Sequence, residues 1–247
     1  MRKRTVVLLC GILLLLVIVV GVAIVLLLYH EPGFYRNAAS PPGPRREQQS
    51  KDCVGKFITL GNYMSFGSGK DEWAVEITEE QLNSYFQEDF KKWGDCASLE
   101  KLGISDPRIV FDKDKIRLAF RYGTKPWSTI LSFDLRVWLV KEPNVVIVEF
   151  LGRHAGALPI SAQSILETIS EHLHGGNSVE VTMYRHNGNP TAVVRVECDK
   201  SRPTFQLRRI ELEDGKITIG GLSRDSDQQA YLPIAPKNEQ FQAHTEQ

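Results

Sequence analysis

The chain has 247 residues, in which 30 Lys+Arg balance 30 Asp+Glu, 42% are hydrophobic and four are cysteine. That length suits one large domain or two small ones, the even charge argues against a strongly basic nucleic-acid binder, and four cysteines are too few for a disulfide scaffold. The average hides a division: Thr5 to Tyr29 carries no charge and is almost all Val, Leu, Ile and Gly, which argues against a fully soluble cytosolic enzyme.

Arg2, Lys3 and Arg4 precede this run. About 25 residues at a helical rise of 1.5 Å extend roughly 37 Å, enough to cross a hydrocarbon core of about 30 Å. A cleaved signal peptide has a shorter apolar region followed by small residues. Here the run ends Leu27-Leu28-Tyr29-His30, and Asn37-Ala38-Ala39-Ser40 is the only late alternative. Residues 1–4 therefore read as a cytoplasmic terminus and 5–29 as an uncleaved transmembrane helix in the plasma (inner) membrane. Cys10, inside the first turns, reads as a lipid-facing or packing thiol. Only Arg36 is basic in the next stretch, offset by Glu31, so the positive-inside rule keeps the amino terminus in the cytoplasm and exports the rest. Arg45, Arg46 and Lys51 weaken that asymmetry.

Residues 30–52 contain Pro32, Pro41, Pro42 and Pro44 among polar residues and predict a semi-extended stalk. The folded domain is expected over 53–222, with a polar tail at 223–247. Trp73 to Ile77 reads as a strand. Thr78-Glu79-Glu80-Gln81 is a capping box opening a helix on which Leu82, Tyr85, Phe86, Phe90 and Trp93 form one apolar face. Asn83, Gln87, Glu88, Lys91 and Lys92 fall on its polar face. Ile109-Val110-Phe111 and Ile116 to Tyr122 predict a hairpin turned through Asp112 to Lys115. Leu131, Phe133, Leu135, Val137 and Leu139 share one face of a long strand, and Val145 to Leu151 follows after a turn at Lys141 to Asn144. A second helix is expected from Ser161 to about His174, with Ile165, Leu166, Ile169 and Leu173 as its stripe. Val179 to Tyr184 with Thr191 to Cys198, and Phe205 to Leu212 with Ile217 to Ile219, predict two more hairpins. Helices beside strands in hairpins give class α+β, with a curved antiparallel sheet packed on one or two helices.

The chemistry-bearing residues do not assemble. In Ser65 to Asp71 the first glycine of a phosphate loop falls on Met64 and Asp71 replaces its Ser or Thr. His172 and His174 lie on different faces of a helix end. His154 and His186 have no nucleophile elbow to serve. Asp112 and Asp114 match two positions of a calcium loop, but Ile116 stands at the third. Arg202, Arg208 and Arg209 are followed by Glu211, Glu213 and Asp214, a solvated strand edge rather than a polyanion site. No catalytic residue, metal or other cofactor is expected, and the protein reads as a non-enzyme. Of the exported thiols, Cys53 and Cys96 are the expected disulfide, since both are predicted in loops flanking the first helix, although spacing does not fix connectivity.

Val75 to Asn83, Leu102-Gly103-Ile104-Ser105-Asp106-Pro107-Arg108-Ile109, the hairpin ending Lys115-Ile116-Arg117-Leu118, and Gly156 to Ser161 are similar to segments of bacterial membrane-anchored proteins of unknown function that resemble the tubular lipid-binding (TULIP-like) superfamily. The similarity spans roughly Trp73 to Leu173. The resemblance implies a long curved antiparallel sheet wrapped around a helix, an apolar groove, and no catalytic motif. The first functional expectation is thus an extracytoplasmic domain that binds lipid or another hydrophobic ligand along Leu82, Tyr85, Phe86, Phe90, Trp93, Phe133 and Leu135, though the same rings would also fill a dry core. The alternative is a cell-envelope interaction or assembly factor that recruits a protein partner through a strand edge or its tail. The bilayer is the partner common to both, and nucleic acid is expected in neither.

Overall fold

The computed structural model describes residues 2–66, 72–92, 99–124, 127–160, 179–196 and 205–223. The predicted helix from Ser161 to His174, Trp93, Cys96, Cys198 and nearly all of the tail lie outside the described residues. Helix α1 spans Arg2–Leu28 and is long and apolar enough to cross a membrane. Its side chains from Ile12 to Leu27 are exposed, so it runs clear of the rest of the protein.

The expected stalk is instead largely helical. Helix α2 covers Gly33–Asn37 and α3 covers Pro44–Phe66. Two of the prolines that suggested an extended spacer act as helix starters: Pro32 is the N-cap of α2 and Pro44 the first residue of α3, where no backbone donor is missed. The polar tract reads as one face of an amphipathic helix. Arg46 ion-pairs with Glu88, and Ser50, fully buried, donates to Asp89 at 2.6 Å. The domain thus includes α3, whose Cys53 is buried against Val75 and Ile77 rather than lying in a loop.

Strand β1 (Glu72–Thr78) alternates with Trp73, Val75 and Ile77 inward. Thr78 then caps α4 (Glu79–Gln87) through the complete capping box the sequence predicts. The helix is shorter than the aromatic spacing suggests: it ends at Gln87, and a separate 3₁₀ turn covers Phe90–Lys92. The remaining strands are β2 (Ile104–Phe111), β3 (Ile116–Thr124), β4 (Trp127–Leu139), β5 (Val145–Ala155), β6 (Leu158–Pro159), β7 (Val179–His186), β8 (Asn189–Val196), β9 (Phe205–Glu213) and β10 (Lys216–Ser223). All pair antiparallel, which makes the class α+β as expected.

They form two sheets. The smaller has the order β1-β10-β9; the larger runs β2-β3-β4-β5-β8-β7, with β6 paired to β5, and is not closed into a barrel. Two asparagine amides close exposed edges. Asn83 donates to the Ile109 carbonyl at 2.7 Å and accepts from the Ile109 amide at 2.9 Å, pairing with edge strand β2 as a peptide would. Asn144 donates to the Phe205 carbonyl at 3.1 Å and accepts from the Leu207 amide at 2.8 Å, fastening edge strand β9 to the β4–β5 turn. Asn144 has φ 59, a left-handed conformation that asparagine tolerates well. Asn83 is 2% exposed, a correction to its expected place on the polar face of α4. That helix lies between α3 and the β2 edge, so its amide side is covered as well as its ring side.

Candidate functional site

One face of the larger sheet is apolar almost throughout. Cross-strand register aligns Leu118 with Phe133, Ile116 with Leu135, and Leu131 with both Phe120 and Ala155. It continues through Phe150, Val148 and Val146 into Ala192 and Val194. Directly opposed side chains on antiparallel strands share a face, so these residues form one continuous apolar surface. Phe133 is 2% exposed; it stacks on Phe120 at 5.7 Å and meets Phe150 edge-on at 6.0 Å. The opposite face carries the charges: Lys115 pairs with Asp134 at 2.7 Å, Arg117 with Asp112 at 2.7 Å, and Arg136 with a nearly buried Glu149 at 3.5 Å.

A cation does sit on the apolar face. Arg153 aligns with Phe133, is half-buried, and has no ion-pair partner among the described residues. Its position follows from an irregularity in β5: the register shifts between Asp134 and Leu135, so Phe150 and Arg153, an odd number of residues apart, both face the apolar side.

The predicted site residues divide. Leu82 packs against the sheet-face cluster that holds Phe133 and Leu135. Tyr85 belongs to a second cluster under α3, edge-on to Phe57 at 5.1 Å, and Phe86 and Phe90 join it at 6.0 and 5.9 Å. The rings therefore hold α4 on α3, and the surface that continues across the sheet is made by strand residues. Leu82 touches both clusters. Cys53, half of the expected disulfide, is a free, buried thiol, and burial pushes its pKa up to about 12. Its other proposed half, Cys96, lies outside the described residues.

The sequence reading missed the junction between this face and the apolar helix α1. Leu28 packs against the sheet-face cluster, the Ala157 amide donates to the Leu27 carbonyl at 2.8 Å, and the Thr129 hydroxyl donates to the Leu28 carbonyl. A Cβ on Gly156 would lie 2.2 Å from the Leu27 oxygen, so only glycine admits the helix end. Beyond Leu28 the chain passes to the charged face. There Tyr35, fully buried with Ala119 and Ile130, donates to the Asp106 carbonyl at 2.8 Å. Arg108 donates to the Tyr35 carbonyl at 2.6 Å and lies 4.0 Å from its ring centroid. Burial raises the Tyr35 pKa to about 12. Residues 28–35 thus grip both faces of the sheet end. The signals were present but local: Gly156-Ala157, and the aromatic pair Phe34-Tyr35 inside a polar stretch.

Comparison with protein-family models, with curated proteins and with solved structures finds no match. The site is therefore read from its own chemistry. Among the described residues no group of three or more His, Cys, Asp or Glu is placed to hold a metal ion.

Proposed function

We propose that the protein is a single-pass membrane protein whose extracytoplasmic domain binds a lipid or another hydrophobic ligand on the apolar face of its larger sheet. The observation that carries this reading is the course of that face: it runs from Val194 to Leu131, interrupted on β5 by Arg153 and with Leu82, Leu212 and Ile217 packed against it, and meets the carbonyl end of α1 at Leu28. A ligand site of this kind needs apolar area and few polar groups. Arg153 supplies one cation there, suited to the head group of an amphiphile whose chain lies along the half-buried Phe150 and Val148. The resemblance to tubular lipid-binding proteins points to the same ligand class. The orientation proposed is the one that leaves Arg2, Lys3 and Arg4 in the cytoplasm, because carrying such charges across hydrocarbon costs a few kcal/mol each.

The test uses the full chain in vesicles containing a phospholipid with a photoactivatable acyl chain. Adducts on peptides of β4 and β5, weakened by Arg153→Glu, support ligand binding. Adducts confined to α1 leave the anchor standing and reject the ligand. Protease added to spheroplasts tests orientation: digestion of the domain only after detergent opens the membrane would reverse it.

A further inference from the structure

Where β3 and β4 meet, beside the end of α1, two aromatic side chains face outward. Trp127 is 78% exposed, more than Leu26 of the membrane helix at 67%, and Tyr122 is 38% exposed. Both lie on the apolar face: Tyr122 aligns with Thr129, and Trp127, two positions before Thr129 on β4, shares its side. Thr129 is the residue whose hydroxyl reaches the Leu28 carbonyl. One strand repeat of two residues spans about 7 Å, so Trp127 stands roughly that far from the end of the span. Tyr29, the residue after α1, is itself 47% exposed.

The length of α1 fixes where the bilayer surface falls. Its 27 residues extend about 40 Å, against a hydrocarbon core of about 30 Å. With Arg2 to Arg4 held at one surface, the last turn lies in the head-group layer of the other. Leu27 and Leu28 in that turn are the residues bonded to Ala157 and Thr129, so the end of the sheet is carried into the same layer. Tryptophan and tyrosine favour this layer, where the ring is in apolar surroundings and its N–H or O–H stays hydrated. A free tryptophan at such exposure in water would instead leave a large apolar area solvated.

We propose that the β3–β4 end is a second membrane contact, in which Trp127 and Tyr122 enter the head-group layer of the leaflet that α1 leaves. This rests on the anchoring reading above. It makes the domain a body standing on the bilayer at two points, with its apolar face opening at the lipid surface.

The full chain is reconstituted in phosphatidylcholine and phosphatidylglycerol vesicles whose acyl chains are brominated near the glycerol, and tryptophan quenching is compared with unbrominated vesicles. The chain has four tryptophans, of which Trp73 is buried in the domain and Trp138 lies on the charged face of β4. Trp127→Phe should remove most of the bromolipid quenching, while Trp138→Phe leaves it unchanged. Quenching equal in Trp127→Phe and the parent would overturn the proposal, with anchoring intact. Failure of the parent chain to float with the vesicles would remove the anchor and, with it, this contact. Trp127 is too exposed for its replacement by phenylalanine to unfold the domain.

Discussion

Replacing Asn83 by alanine isolates what one side chain contributes to the domain. In the folded protein its amide satisfies both the N–H and the C=O of Ile109 on the outer edge of β2, at 2.9 and 2.7 Å, in a position 2% exposed. Removing it leaves two buried backbone groups without partners. Each such group costs about 1–3 kcal/mol, so the expected loss is about 2–6 kcal/mol. For a chain of this size 1 kcal/mol moves Tm by about 2–4 °C, so the melting point should fall by about 4–24 °C. The measurement is thermal unfolding of the full chain in micelles, followed by near-ultraviolet circular dichroism. Glu80→Ala is the reference. It breaks an exposed pair with Arg45 at 2.8 Å, worth about 0–1 kcal/mol. Asn83→Asp sharpens the test. A carboxylate keeps the acceptor for the Ile109 amide but turns a second lone pair on the Ile109 carbonyl, so at neutral pH it should be at least as damaging as alanine. A drop no larger than that of Glu80→Ala would refute the reasoning, since the β2 edge would then be finding water without help.

Gly156→Ala places a methyl 2.2 Å from the Leu27 oxygen at φ +59, whereas Gly188→Ala has a similar φ, +81, with nothing within 4 Å. Both incur left-handed strain of about 1–2 kcal/mol, but only the first should speed limited proteolysis within residues 29–40; equal rates would mean that the helix end is not clamped by this turn. Hydrogen bonds from Lys92 and Ser50 hold the Asp89 carboxyl below its usual range. A depressed folded pKa gives stability that is present above the unfolded value near 3.9 and lost as pH falls through the folded one, so Asp89→Asn should flatten the acid limb of the stability curve below about pH 4; an unchanged limb would assign it to other carboxylates. Burial raises the Cys53 thiol to about 12, so at pH 8 iodoacetamide should spare it in the folded chain and modify it after unfolding, as read by peptide mapping. Alkylation at the rate of a free peptide would place it at the surface.

Much of the architecture was legible in the sequence because it is written in local patterns. The uncharged run to Tyr29 specifies a helix of membrane length, Thr78 and Gln81 cap α4 reciprocally, and period-two alternation in Leu131 to Leu139 marks the apolar face of β4. Such features depend on neighbours within a few residues, and hydrophobic periodicity reports them directly. What depends on distant partners was not legible. Asn83 looks like a solvated helix residue until β2 lies against it, and Cys53 looks like a loop thiol until α3 settles on β1. The prolines from Pro32 to Pro44 look like a spacer until α2 and α3 find surfaces to bury Tyr35 and Ser50. The aromatic stripe of α4 and the inward side chains of β4 are both plainly apolar in sequence, yet periodicity does not say which apolar surfaces meet. Tertiary packing assigned the rings to α3, left the sheet face to Leu82 and the strands, and put Arg153 on that face through a register shift. The attachment of the sheet end to Leu27 and Leu28, residues more than 100 positions from Thr129 and Gly156, is a long-range contact of the same kind, and it is what relates the domain to the apolar helix α1.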